Sequence, residues 1–161
     1  MIASVDITFR PITNDDMPFL QALYGTTRED ELALVDWTRE EKDNFIAFQF
    51  NAQHTHYQKN YVDAEFSIIL LDGQPAGRIY VDRREDEHRI VDIALLPEQR
   101  GQGIGGRIMQ DLLDEASAAG KMVRIHVEHN NPAMHLYERL GFKEIGDTEV
   151  YYLMEWKPQE L

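Results

Sequence analysis

The chain has 161 residues, a formal net charge of −13, and 43% hydrophobic and 28% charged residues, which fits one soluble domain burying roughly two-thirds of its unfolded surface. It contains no cysteine, which excludes disulfides, a thiolate nucleophile and every cysteine-based zinc or iron–sulfur site. The acidic balance argues against a sequence-independent grip on nucleic acid, no apolar run approaches the ~20 residues of a membrane helix, and the first residues lack the basic and apolar regions of a signal peptide, so the cytoplasm is the expected compartment.

Val5, Ile7 and Phe9 alternate with Asp6, Thr8 and Arg10, a pattern that predicts a first strand ending at Pro11. Asn14-Asp15-Asp16 signals a helix start, with Met17, Leu20, Leu23 and Tyr24 as its apolar stripe and Gly25 as its stop. Thr26 to Asp36 is acidic and without clear periodicity, and reads as a loop or a frayed helix. Thr38 with Glu41 forms a capping box, and Phe45, Phe48 and Ala52 recur at helical spacing down to about Tyr57, a long helix with an aromatic face.

Glu65 to Leu71 and Pro75 to Val81 read as two strands around a tight Asp72-Gly73 turn. The mixed charges from Asp82 to Arg89 suit a solvated hairpin turn, and Ile90 to Leu96, apolar but for Asp92, suits a strand covered on both faces. Leu95 to Arg107 is a glycine-rich turn, followed by a helix whose face carries Ile104, Ile108, Leu112 and Ala116 and whose stop is Gly120. Val123, Ile125 and Val127 alternate with Arg124, His126 and Glu128 in a further strand. Asn131 caps a helix with Pro132 at its first position, a stripe of Ala133, Leu136, Tyr137 and Leu140, and Gly141 as its end. Lys143 to Gly146 and Val150 to Trp156 form a last strand pair, and the whole is mixed α/β.

The glycine turn is the natural anion site, because the unpaired N–H groups of a helix's first turn carry roughly half a positive charge between them. A P-loop fails on chemistry: Gly106-Arg107-Ile108 offers neither the lysine nor the hydroxyl that motif needs. Gly101 to Gly106 does satisfy the dinucleotide pattern Gly-x-Gly-x-x-Gly, with Glu128 about where a ribose-binding acid belongs. Context opposes that reading, since Pro97 to Arg100 separates strand from glycine and too little chain follows Glu128 to complete a doubly wound domain.

Arg100-Gly101-Gln102-Gly103-Ile104-Gly105, preceded by Pro97-Glu98, resembles the Arg/Gln-x-x-Gly-x-Gly/Ala acyl-CoA signature of the GNAT superfamily of N-acetyltransferases. Asn130 to Phe142 is similar to that superfamily's Asn-x-x-Ala-x-x-Leu-Tyr-x-x-x-Gly-Phe block. The resemblance implies an α/β (α+β) fold with a mixed, mostly antiparallel sheet of six or seven strands, flanked by about four helices and splayed at the acyl-CoA site. It implies one domain over residues 1–161, with a helical acceptor-side region at 11–62 and an acyl-CoA-binding core at 65–156. It further implies that the amides from Gly101 to Gly106 cradle the pyrophosphate of acetyl-CoA, aided by Arg100, while Gln102 and Ile104 belong to the same turn. Ile93, Ala94 and Leu95 would pair with the pantetheine arm as with an added strand, and Asn130 and Ala133 would complete the cofactor site. Arg107 either adds to the local positive field or is simply solvated.

By the same resemblance Tyr137 is the candidate general acid for the departing thiolate, with a core role in the helix stripe as its alternative. An alkylamine is neutral in about one part in two thousand at pH 7, so a base is needed. Asp92 is the first candidate, or else a carboxylate bonded to backbone or an arginine, and Glu128 and His126 are reserves. His126, Glu128 and His129, or His54 and His56, form no complete metal set, and this catalysis needs no metal. Carboxylates beside aromatics between Tyr24 and Tyr61 suit a cationic amine acceptor, either a small molecule or a protein terminus or lysine. The expected reaction is direct acetyl transfer from acetyl-CoA in a ternary complex, the alternatives being a non-catalytic acyl-CoA sensor and, distantly, an NAD(P)-dependent oxidoreductase. No nucleic acid or membrane partner is expected, and C-terminal edge strands could pair in a homodimer.

Overall fold

The computed structural model describes residues 5–129 and 131–158. Its strands are β1 (Ile7–Pro11), β2 (Glu65–Leu71), β3 (Gln74–Arg83), β4 (Glu87–Leu95), β5 (Met122–Glu128), β6 (Lys143–Asp147) and β7 (Tyr151–Trp156), and its helices are α1 (Met17–Thr26), α2 (Glu29–Ala33), α3 (Arg39–Asn60), α4 (Ile104–Ala119) and α5 (Met134–Arg139). The strands form one sheet in the order β1-β2-β3-β4-β5-β7-β6. Every neighbouring pair is antiparallel except β4 with β5. The single parallel pair follows from connectivity, because β4 reaches β5 only by crossing over through α4, whereas β2 and β3 turn back directly. That turn places Asp72 at φ 49° and Gly73 at φ 81°, the left-handed pair that matches the twist of a two-residue hairpin.

The larger core lies where α4 and α5 pack on the sheet. Ile104, Ile108, Met109, Leu112, Leu113 and Ala116 of α4 meet Ile79, Val81, Ile90, Val123, Ile125, Val127 and Met154, and each such buried side chain contributes about 1.5–3 kcal/mol. A smaller cluster of Leu20, Tyr24, Phe50 and Ile68 seats α1 and α3. Gly120, at φ 69°, ends α4, and the Thr38–Glu41 capping box starts α3 with Glu41 N–H donating to Thr38 Oγ1 at 3.1 Å.

Several local expectations change. Gly25 does not stop α1 but lies buried inside it, where a Cβ would come within 3.3 Å of Ile46 Cδ1, so its small size serves helix packing. The acidic stretch after it contains the short α2. The buried side chain of α3 is Phe50, while Phe48 is 71% exposed and Ala52 is exposed, because the seated face runs through Ile46, Phe50, His54 and Tyr57. The charge run at 82–89 is a hairpin whose tip, Glu85 and Asp86, is exposed as expected, but its flanks are not solvated. Strand geometry reaches Arg83 on one side and resumes at Glu87 on the other, so Asp82, Glu87 and His88 turn inward, and the Glu87 carboxylate is ringed by Arg84, Arg89 and Arg124 at 3.5, 3.4 and 3.7 Å. The second motif helix starts at Met134, two residues later than the proline suggested, after Asn131 Oδ1 accepts the Ala133 N–H at 2.9 Å. Of its stripe only Tyr137 is fully buried.

Candidate active site

The site begins where two strands part. β4 and β5 pair over Glu87–Ile90 and Met122–Ile125, whereas Asp92, Ile93, Ala94 and Leu95 are bonded to β3 alone. A bulge opposite Tyr80 and Val81 takes up Val91 and turns the strand away. The resulting slot explains why Val91–Leu95 is half-buried rather than covered on both faces as its apolar run suggested. The register demands Gly77 beneath it, since a Cβ there would overlap the Ala94 carbonyl oxygen.

The glycine turn lies beyond the C-terminal end of β4. Pro97–Gln99 makes one 3-10 turn, Gly101 takes φ 75° and Gly103 takes φ 83° at the N-cap of α4. Only glycine adopts such angles freely, and the turn they make presents the first-turn amides of a 16-residue helix outward. Arg107 N–H donates to the Gly103 carbonyl at 3.0 Å and opens the helical ladder. The N–H groups of Ile104, Gly105 and Gly106 precede that bond and have no helical acceptor.

The cofactor candidates fall around this end of the slot. Ile93, Ala94 and Leu95 form its β4 wall, while Gly101 and Gln102 are exposed on the turn and Gly105 and Gly106 are half-buried. The Ile104 side chain is only 1% exposed and belongs to the core, so its N–H is the group available to a ligand. Arg100 is not free: its Nε donates to the Leu95 carbonyl at 3.0 Å and its Nη2 to Thr26 Oγ1 at 3.1 Å. Arg107 is exposed on the first turn of α4. Ala133 is the N-cap of α5, and Asn130 lies outside the described residues.

Tyr137 is 4% exposed beside Phe142, with ring centroids 5.8 Å apart. Burial, with the Asp92 charge adding to it, pushes its phenol well above the ordinary range, and the ring belongs to the core cluster against which Ile93 and Leu95 of the slot wall pack.

The candidate carboxylates are both engaged. Asp92 Oδ2 receives Arg78 Nη2, which also donates to Gln53 Oε1 of α3 at 2.7 Å. The same guanidinium lies 4.9 Å from the Tyr80 ring centroid. Arg78 is 3% exposed, so this ion pair ties α3, β3 and β4 together directly beneath the slot, and removing one partner would leave a buried charge. Asp92 Oδ1 accepts no hydrogen bond among the described residues. Glu128, at the last position of β5, holds Arg28 of the α1–α2 turn, with Nη2 at 3.0 Å from Oε1 and Nη1 at 3.4 Å from Oε2.

His126 lies near Tyr151, centroids 6.1 Å apart, and partial desolvation together with the Arg89 charge keeps its imidazole below the ordinary range. His129 pairs with Asp147 at 2.7 Å, and His56 with Asn60 at 3.0 Å. No group of three or more His, Asp or Glu suited to a metal ion occurs among the described residues. No described helix is long and apolar enough to cross a membrane.

Sequence reasoning missed three members of this cluster. Arg78 carried a readable signal, a lone cation in the apolar run Ala76 to Val81 that answers the lone carboxylate of β4. Gln53 and Arg28 carried none, because both act through contacts distant in sequence: 25 residues separate Gln53 from Arg78 and 100 separate Arg28 from Glu128.

Comparison with known proteins agrees with this geometry. The sequence model described as the Acetyltransferase (GNAT) family matches residues 20–142. A putative ribosomal protein bS18-alanine N-acetyltransferase of Bacillus subtilis is 32% identical over 119 residues, covering 72% of this chain and 70% of that protein. An uncharacterized protein of Mycobacterium leprae is 27% identical over 144 residues, 89% of this chain, and the chain spans only 40% of its length. Among solved structures, the PaiA N-acetyltransferase of Thermoplasma acidophilum in complex with coenzyme A superposes with a TM-score of 0.68 at 18% identity, covering 94% of this chain and 99% of that one. At that identity the likeness is one of fold.

Proposed function

The chain belongs to the GNAT family of acetyltransferases, and from that premise we propose that it transfers the acetyl group of acetyl-CoA to a primary amine, by direct attack in a ternary complex. The observation that carries the reading is the slot: one strand free on one side from Asp92 to Leu95, leading through the glycine turn to the N-terminus of α4, with Tyr137 in the core cluster against which Ile93 and Leu95 pack.

The pyrophosphate rests on the amides of Gly101 to Gly106, where the helix field outweighs surface carboxylates more than one Debye length of roughly 8 Å away. The pantetheine arm pairs with the backbone of Ile93, Ala94 and Leu95 as an added strand, and an N–H of that stretch faces the thioester oxygen. The amine nitrogen attacks the thioester carbonyl carbon. As the new C–N bond forms and the C–S bond breaks, the thiolate takes its proton from the Tyr137 phenol and the amine gives its own to Asp92 Oδ1, directly or through water. Burial keeps that phenol protonated throughout the neutral range. The products are an amide and free CoA.

Arg78 is the positioning residue in this scheme, because it fixes Asp92 through the other oxygen. The acceptor enters over α1, α2 and the start of α3, where Glu29, Asp30, Glu31, Asp36, Glu40, Glu41 and Asp43 against Arg28, Arg39 and Lys42 make a field suited to a cation. A small-molecule amine and a peptide N-terminus both fit that field.

One observation favours a second reading, a sensor that binds acyl-CoA without turnover: Asp92 and Glu128 are each committed to an arginine. The dinucleotide reading has no such support, because the sheet has a single parallel pair and not a doubly wound order. Calorimetry with acetyl-CoA and NAD(P)H, followed by thiol release on a panel of amines, separates the three. Acetyl-CoA binding with release on at least one amine supports the enzyme. Binding without release supports the sensor, and preference for the dinucleotide opposes both.

A further inference from the structure

The turn between α1 and α2 is clamped on both lips of the slot. On the β4 side Thr26 Oγ1 accepts from Arg100, 3.1 Å away, and on the β5 side Arg28 reaches Glu128 at 3.0 Å. Arg28 fills a small cage. Its Nη1 lies 2.9 Å from Glu31 Oε1, its Nε donates to Tyr24 Oη at 3.1 Å, and its guanidinium carbon sits 5.3 Å from the Tyr24 ring centroid. Glu128 lies three residues past Ile125, where β5 parts from β4, and stands opposite Tyr151 in the β5–β7 register, so the cage lies on the β5 lip of the slot.

We propose that Arg28 is an exchangeable plug that sets acceptor specificity: the preferred acceptor carries, beside its reacting amine, a second cationic group that displaces the guanidinium from Glu128. The inference rests on the acetyltransfer reading for the location of the acceptor. Two carboxylates, a phenol oxygen and an aromatic face are what an alkylammonium seeks, and the site already demonstrates its preference by holding a cation. The exchange is charge-neutral. One cation replaces another at Glu128, and the displaced guanidinium keeps Glu31, whose side chain is 52% exposed. Only a side chain need move, because Thr26 stays tied to Arg100 and Thr27 Oγ1 to the Tyr24 carbonyl at 2.6 Å. A plug that must leave lowers apparent affinity by the fraction of time the site is open, so removing it tightens dication binding.

The test is calorimetric and needs no turnover. With CoA-loaded protein, the affinity of 1,4-diaminobutane is read relative to butylamine, and that of a short peptide with lysine at its second position relative to the same peptide with alanine there. Arg28→Ala should raise one of these ratios about tenfold, and the pair that responds tells whether the second cation belongs to a small diamine or a peptide. Glu128→Gln should bring the responding ratio close to one, and it serves alone if Arg28→Ala does not fold. Ratios that stay unchanged or fall in Arg28→Ala, or that persist in Glu128→Gln, overturn the proposal. A responsive ratio with no acetyl transfer to any amine counts against the catalytic reading and leaves the plug standing.

Discussion

Gly77→Ala is the substitution that separates the slot from the rest of the fold. A Cβ on Gly77 would overlap the Ala94 carbonyl oxygen and stand 3.0 Å from Leu95 Cδ2 and 3.1 Å from Leu95 Cα. Two of those three neighbours are backbone, so no rotamer change relieves the clash and β4 must yield by about an ångström to regain van der Waals separation. Overpacking of that kind costs about 1–3 kcal/mol, which lowers the melting temperature by about 2–12 °C for a chain of this size. The displaced segment, Ala94 and Leu95, is the wall assigned to the pantetheine arm. Losing one strand-type hydrogen bond to the arm costs about 1–1.5 kcal/mol, so acetyl-CoA affinity should fall by about five- to tenfold in calorimetry at a temperature where the variant is folded. A variant that melts earlier yet binds acetyl-CoA as tightly as the wild type would refute the assignment of the arm to this strand.

Tyr137→Phe should retain acetyl-CoA affinity and lose turnover by about 10²- to 10⁴-fold, the usual worth of a positioned acid, in paired calorimetry and thiol-release assays; retained turnover removes Tyr137 from the chemistry. Gly103→Ala forces a Cβ onto φ 83°, costing about 1–2 kcal/mol, and should weaken acetyl-CoA binding by disordering the amide cradle. Equal affinity would place the pyrophosphate elsewhere. Asp16 accepts two bonds from Arg10 at 2.8 Å and the Thr13 N–H at 2.8 Å, and chiefly the Arg10 bonds push its carboxyl down to about 2. A depressed carboxyl stabilises fully above its unfolded value near 4 and loses that contribution as pH falls through about 2. Asp16→Asn should therefore unfold about 1 kcal/mol more easily in urea at pH 7, with the gap closing below about pH 4, since Arg10 is itself exposed enough for water to screen the pair; a pH-independent gap would contradict the ion-pair assignment.

What was legible in the sequence was what local chemistry dictates. The Asp72-Gly73 turn, the Thr38–Glu41 cap, the amphipathic face of α4 and the left-handed glycines at 120 and 141 need only near neighbours, and all are present. The family resemblance extended that reach to the sheet and its parting at β4. The misreadings share a cause, which is tertiary context. Phe48 has helical spacing but faces solvent because Phe50 aligns with Leu20 and Ile68 instead. In the run from Asp82 to Arg89 charge was counted without its partners: Glu85 and Asp86 at the tip are exposed, yet Glu87 is buried among Arg84 of the turn, Arg89 of β4 and Arg124 of β5. In the candidate site the arginine partner offered as the alternative for Asp92 is present as Arg78, whereas the Arg28 that holds Glu128 lies 100 residues away in sequence and left no local sign.

Acetyl transfer itself is most directly measured by the mass of the acceptor after incubation with acetyl-CoA, with thiol release followed in the same sample. The expected result is an amine heavier by one acetyl group, formed in step with free CoA and lost in Tyr137→Phe. Tight acetyl-CoA binding with no acetylated amine across small amines, diamines and peptide N-termini would contradict it.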